Sequence, residues 1–271
     1  MTLDQKSRRT SSSTSSSGCT VKTRRQYSSE AKPTSRRHSE TTASILSSMQ
    51  HPNIIYATDF QPANLITDLQ IPHIHLGTLM NQAGKLSSRE ADCYIMQLLS
   101  GLSYPHSLNV THRDISPSNL LLTSTGNLKI ANFTSSEHLK SSNNFKSSKC
   151  CGTMPYIAPE VFVETVFGAK PVDMWSVGVL YMEIRYSKVL WEMAGEGADE
   201  GYDRYLRDRF GLGGFRPVEN LKNVHFRRVV RSLLDPCPGN RMTTPQVLKS
   251  KWCLETEIGA AALGEEIRLA E

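Results

Sequence analysis

The stretch "VDMWSVGVLYMEI", Val172 to Ile184, is apolar on nearly every face of a helix. A helix at the surface carries a polar stripe, so one without it has to be surrounded by other elements. This segment reads as a buried helix, and its neighbours are found on both sides of it in the sequence. Upstream, Ser87 and Glu90 form a capping box, and Tyr94, Leu98 and Leu102 follow at helical spacing. Pro105 is placed to bend or end that helix near its last turn. Downstream, "TTPQVLKSKW" opens a late helix, with Thr244 as its cap and Pro245 at the first helical position. The chain from about residue 87 onward is therefore expected to be mostly helical.

Strand signals are short and local. Ile45, Leu46 and Met49 fit the buried face of a short helix, ended by His51-Pro52-Asn53 because proline disfavours helix in the residue before it. Ile54, Ile55 and Tyr56 suggest a strand, and "NLITDLQI" suggests another. Further on, "LLLT" and "NLKIAN" read as two strands around the turn Ser124-Thr125-Gly126. Residues 134–150 are polar and rich in Ser and Lys, which reads as a long mobile loop. Its serines are either modification sites or a solvated surface. Trp175 and Trp252 read as core anchors, and His51, His73, His75 and His106 as surface or packing histidines.

Charge is distributed unevenly. The net charge is +5, and Lys6, Arg8, Arg9, Lys22, Arg24, Arg25, Lys32, Arg36 and Arg37 precede residue 42 against only Asp4, Glu30 and Glu40. These cations are interleaved with serine, not with aromatics, so a solvated tail is favoured over a nucleic-acid surface. Residues 1–20 are low-complexity Ser/Thr, with too little apolar surface to offset the entropy of ordering. "RRTS" and "RRHS" match sites for a basophilic kinase or are unmodified tail. The six cysteines show no CxxC spacing, which argues against a zinc site. The vicinal Cys150-Cys151 reads most plainly as two reduced thiols. No run of about 18 apolar residues occurs, so no membrane span is expected and a soluble, cytoplasmic protein is.

The most informative string is "HRDISPSN", His112 to Asn119, which fits the pattern H-R-D-x-x-x-x-N. Asn132-Phe133-Thr134 falls at the place of a D-F-G triplet, and "CGTMPYIAPE" matches G-T-x-x-Y-x-A-P-E. Asp173 opens the buried helix, and Arg241 sits in "DPCPGNRMT". These five signals, in order, resemble a protein kinase over about residues 43–254. Within that superfamily, "SGLSYPHSLNVTHRDISPSNLLL" and "SLLDPCPGNRMTTPQVLKSKW" resemble the fungal Hal and nitrogen-permease-reactivator type of Ser/Thr kinase, whose members regulate membrane transporters.

The resemblance implies roles residue by residue. Asp114 would accept or orient the proton of a substrate hydroxyl, with Thr153 hydrogen-bonded nearby. Asn119 and the residue at 132 would hold Mg²⁺, Leu121 would underlie the adenine of ATP, and Lys22 is the one candidate for the lysine on the α- and β-phosphates. His112 and Phe133 would stack in a hydrophobic column joining two lobes. Glu160 with Arg241 would be a buried ion pair, and Asp173 would hold the catalytic-loop backbone. Phosphoryl transfer relies on such positioning and charge neutralisation more than on covalent chemistry.

Several positions depart from the pattern. Asn132 replaces a metal-binding aspartate, and a neutral amide is a poor substitute for a carboxylate toward a hard cation. Thr134 replaces a glycine, Ser116 a lysine that meets the transferred phosphate, and Thr42 the glutamate partner of the strand lysine. No G-x-G-x-x-G precedes residue 42, and Pro72 removes a backbone donor near the expected hinge.

The fold expected is therefore α+β and bilobal, with a truncated or degenerate N-lobe and a mainly helical C-lobe. Residues 1–42 would be a tail or a remnant of the first N-lobe strands, 43–75 an N-lobe remnant, 76–254 the C-lobe, and 255–271 an appended helix. Three functional readings stay open: a pseudokinase acting as a regulatory or scaffold module, a weakly active ATP-dependent Ser/Thr kinase, and a truncated fragment. The expected partner or substrate is a protein, in a transporter-regulating pathway, and the expected state is a monomer.

Overall fold

The computed structural model describes residues 49–55, 57–61, 64–67, 73–141 and 144–255. Lys22, Thr42, Pro72 and almost all of the expected tail helix at 255–271 lie outside these residues.

Strands come first and are short. A hairpin pairs β1 (Ala57–Gln61) with β2 (Asn64–Thr67). Of the strand expected at Ile54 to Tyr56, Ile54 makes a single parallel bridge to Ile130, and Tyr56 lies outside the described residues. The turn at His51 holds Ile54 back, its amide bonding the His51 carbonyl at 3.0 Å, so only Asn53 and Ile55 meet the backbone of Ile130, at 2.8 and 2.9 Å. A three-stranded sheet then forms from β3 (His73–His75) and two later strands.

Helix α1 (Leu76–Ala83) precedes α2 (Ser88–Ser107), which starts as its sequence predicts. The Ser87 amide donates to Glu90 Oε2 at 2.8 Å and the Glu90 amide to Ser87 Oγ at 3.2 Å. Pro105 lies in the last turn of α2, and the chain leaves at Asn109 with φ 56°. Gly101 lets this helix lie against the sheet: a Cβ there would stand 2.8 Å from Ile130 Cδ1 and 3.0 Å from Asn53 Cβ.

Strand β4 (Val110–Thr111) leads into the His112 loop, followed by β5 (Leu120–Thr123) and β6 (Leu128–Ile130), the predicted pair around the 124–126 turn. Strand β5 is central, between β3 and β6. The segment 134–150, expected as a mobile loop, contains β7 (Glu137–His138), paired with β4, and β8 (Lys146–Ser147). Its polar composition hid two strands that pair with distant partners rather than with each other.

Helix α3 (Pro159–Val163) is followed by β9 (Phe167–Gly168), which pairs with β8, and then by α4 (Ala169–Tyr186). Helix α4 is buried on nearly all sides, and Trp175 at its centre is fully enclosed. Around it lie α5 (Glu200–Asp208), α6 (Arg216–Glu219) and α7 (Val224–Leu233). The last elements are α8 (Thr244–Leu248) and α9 (Lys251–Glu255), which carries the buried Trp252. The cap of α8 is Thr243, one residue before the expected Thr244, because its amide and Oγ1 both bond Gln246 Oε1, at 2.8 and 3.1 Å. Small sheets and a mainly helical body are what the sequence predicts. No helix among the described residues is long and apolar enough to cross a membrane.

Candidate active site

The loop after β4 hangs from the first turn of α4. The Asp173 carboxylate is fully buried and accepts the His112 amide at 3.0 Å and the Arg113 amide at 2.6 Å. His106 Nε2 lies 2.8 Å from the same carboxylate. Burial alone would push the Asp173 carboxyl up, but the His106 bond and the His112 amide hold it below its ordinary value. The expectation of a packing or surface role for His106 is too modest, since it is the third ligand of the group that shapes the loop.

His112 faces inward, its Nε2 2.9 Å from the Ala131 carbonyl and its ring edge-on to Phe133 at 4.8 Å. Burial drives its pKa down despite the Asp173 charge, so the ring is neutral. The two rings expected to stack are in contact, but edge-on at 71° rather than stacked, and Phe133 is buried.

Asp114 follows on the half-exposed side of the loop. Its Oδ1 accepts Thr153 Oγ1 at 2.7 Å, and its backbone carbonyl accepts Asn119 Nδ2 at 2.7 Å. Asn119 is pinned further by its carbonyl, which accepts the Ala131 amide at 2.9 Å. Asn132 has φ 59° and ψ 65°, a left-handed conformation that asparagine tolerates better than most residues. From there Asn132 Nδ2 donates to Asn119 Oδ1 at 2.9 Å, while its own Oδ1 accepts Thr134 Oγ1 at 2.7 Å. Leu121 is buried on β5. Ser116 is buried too, its Oγ 2.9 Å from Ser118 Oγ.

A second cluster was not legible from motif spacing. The buried Arg113 guanidinium bonds Ser147 Oγ through Nη1 at 3.0 Å, pairs with Glu137 at 2.9 Å and reaches the Ser135 carbonyl through Nε at 2.8 Å. Ser147 Oγ also donates to Glu137, and Lys149 Nζ stands 3.6 Å from the same carboxylate. Residues 22 and 34 positions away are thus tied to the catalytic loop, and no local pattern announces that.

The protein kinase domain family matches residues 9–253. This chain belongs to the protein kinase family. It resembles the Hal kinases within it. Serine/threonine-protein kinase hal4 of Schizosaccharomyces pombe is 38% identical over 236 residues, covering 84% of this chain and 37% of that protein. Serine/threonine-protein kinase HAL4/SAT4 of Saccharomyces cerevisiae is 42% identical over 215 residues, covering 77% of this chain and 36% of the relative. Serine/threonine-protein kinase grp of Drosophila melanogaster is 34% identical over 169 residues, 62% of this chain and 32% of that protein. The chain spans little more than a third of the Hal relatives' length.

A kinase of this family uses ATP and Mg²⁺ when active, so the kinase site can be tested for fit to a cation. The two side chains placed to hold one are Asn119 and Asn132, and they are hydrogen-bonded to each other. The Asn119 oxygen is occupied by an amide N–H and the Asn132 oxygen by a hydroxyl. No group of three or more His, Cys, Asp or Glu able to hold a metal occurs among the described residues. Mg²⁺ is bound through one or two carboxylates, and this pair supplies none. The donor set does not fit the ion. Asp114 and Thr153 are joined by their hydrogen bond, and the Glu160 and Arg241 pair is in place at 2.6 and 2.8 Å.

Proposed function

We propose that this chain is a Ser/Thr-kinase-like module with lost or strongly reduced phosphoryl transfer, acting by binding a protein rather than by modifying one. The observation that carries this reading is the hydrogen bond between Asn132 Nδ2 and Asn119 Oδ1, at 2.9 Å. An amide N–H directed at the other candidate ligand takes up one of the two lone pairs of the oxygen a cation would need, and the pair offers no charge to balance the ion. Losing one well-placed electrostatic group costs about 10²–10³ in rate, and here Ser116 also lies buried where a lysine would meet the transferred phosphate.

The Hal resemblance supports a protein partner in a transporter-regulating pathway, and a cytoplasmic monomer belongs to the same proposal. Asp114, Asn119, Thr153, Leu121, Asn132 and Lys22 are the residues through which any residual nucleotide chemistry would run. The family match starting at residue 9 supports reading part of 1–42 as the remnant of the first N-lobe strands. The boundaries at 43–75, 76–254 and 255–271 belong to the same proposal.

A second reading, a weakly active kinase, is favoured by one specific contact, Thr153 Oγ1 on Asp114 Oδ1 at 2.7 Å. The two readings separate in one experiment. Thermal shifts are measured with millimolar ATP, with and without Mg²⁺, for the natural chain and for Asn132→Asp. Loss of transfer predicts no Mg²⁺-dependent shift in the natural chain and a clear one in the variant. A Mg²⁺-dependent shift in the natural chain, with peptide phosphorylation abolished by Asp114→Asn, would establish the weak kinase instead. No shift in either protein would point to a fragment unable to form the nucleotide site.

A further inference from the structure

Away from the catalytic loop, the residues just after α4, one face of α5 and the turn into α6 enclose an open groove of about 550 Å³. Its floor is apolar, formed by Val189, Leu190 and Phe215. Gly201 is required for that floor, since a Cβ there would lie 2.6 Å from the Leu190 carbonyl oxygen. The rim is cationic: Lys188, Arg204 and Arg216 against the single acid Asp208. All three cations are exposed, and neither Lys188 nor Arg216 has a carboxylate within ion-pair distance among the described residues. The carboxylate near Arg204, that of Glu200, stands 4.0 Å away with both groups in solvent. Such a pair contributes little. On the same turn as the groove's glycines, Phe210 and Leu212 are 81% and 114% exposed. Isolated exposed apolar side chains are ordinary, but two large ones beside an apolar floor and a cationic rim form a surface suited to an acidic, aliphatic segment.

This chain carries such a segment. Residues 256–271, "TEIGAAALGEEIRLAE", hold Glu257, Glu265, Glu266 and Glu271 against the single cation Arg268, together with Ile258, Leu263, Ile267 and Leu269. They follow α9, whose Glu255 stands 3.5 Å from His225 at the start of α7. Helix α6, which supplies Arg216 to the groove, packs on that same α7. Sixteen residues reach about 50 Å when extended. We propose that residues 256–271 dock in this groove in cis, with Glu265 and Glu266 against Lys188 and Arg216 and the aliphatic side chains over Phe210 and Leu212. This inference stands apart from the reading of the active site and holds whether or not phosphate is transferred.

The test uses the full chain at low concentration with a zero-length carbodiimide, which joins a lysine amine to a carboxylate in direct contact, followed by peptide mapping. A bond between Lys188 and a carboxylate of residues 257–271, within a monomer, is the expected result. Its yield should fall about three- to five-fold in Arg216→Glu, and also at about 0.5 M salt, because exposed ion pairs are weak and screened. Leu212→Ser should lower it without altering any charge. The proposal is overturned if Lys188 is unlinked to this segment. It is overturned equally by links confined to Lys249 and Lys251 beside the segment's root, or by a Lys188 link found only in covalent dimers, which would make the occupant a second copy.

Discussion

At the scale of single residues, His51 shows how a contact fixes a protonation state. Its Nδ1 accepts the Asn53 amide at 3.0 Å, its ring stacks on Tyr104 at 5.9 Å, and its Nε2 lies 3.4 Å from Ser100 Oγ. A proton on Nδ1 would break the bond to Asn53. Burial and the Lys129 charge lower its pKa from 6.5 to about 4. A base with a lower pKa in the folded state binds fewer protons there than in the unfolded chain. Its contribution is complete above the unfolded value of 6.5 and falls as the pH drops toward 4. Between pH 6.5 and 5, urea unfolding should therefore show a loss of about 1 kcal/mol, after discounting for partial exposure, that is absent in His51→Asn. A matching pH slope in the variant would remove His51 as the cause. At this scale motif spacing pointed to residues that the structure brings into contact, Thr153 with Asp114 and Asp173 with the His112 and Arg113 amides. It said little where a histidine's role depends on a fold-distant partner, as with His106 and Asp173, 67 positions apart.

At the scale of elements, the segment carrying β7 and β8 departs most from expectation. Hydrophobic periodicity cannot report strands of two residues whose stabilising contacts are ionic. Those contacts converge on Arg113, and the negative charge facing it is Glu137 of β7 itself. The carboxylate is part of the chain, so this ion pair is made without an added phosphate. Glu137→Gln removes the charge while keeping the shape, and leaves the buried guanidinium with only neutral partners. Hydrogen exchange of amides between 135 and 149 should then quicken by about ten- to a hundredfold, the equivalent of about 1–3 kcal/mol for a charged hydrogen bond. Unchanged protection would mean that the Ser135 carbonyl and Ser147 hold the segment without it. The apolar α4 and the capped α2, by contrast, were legible in full, because length and repeated spacing outweigh any single misread position.

At the scale of the whole molecule, one buried pair joins segments that composition leaves unrelated. Glu160 at the start of α3 and Arg241 before α8 meet with both side chains almost fully enclosed. The Arg241 guanidinium also reaches the carbonyls of Pro171, Asp235 and Pro236, and lies 4.9 Å from the Trp175 ring centroid. Removing one partner of such a pair leaves an uncompensated buried charge, which costs about 3–5 kcal/mol. Glu160→Gln should lower the urea midpoint accordingly, and the double variant Glu160→Gln with Arg241→Met should recover part of the loss. A midpoint unmoved by Glu160→Gln would show the pair to be dispensable. The fold was legible mainly on the helical side, where motifs sit on long elements. The N-terminal side offers short strands and no glycine-rich loop to anchor a reading.

The Asp173 carboxylate under the catalytic loop has a consequence for how such a chain evolves. The backbone at His112 and Arg113 is held by the helical core beneath it, and position 132 meets the loop through the separate bond to Asn119. Asparagine and aspartate codons differ by one base. One base change can therefore return a carboxylate to 132 while the Asp173 anchor of the His112 and Arg113 amides stays in place.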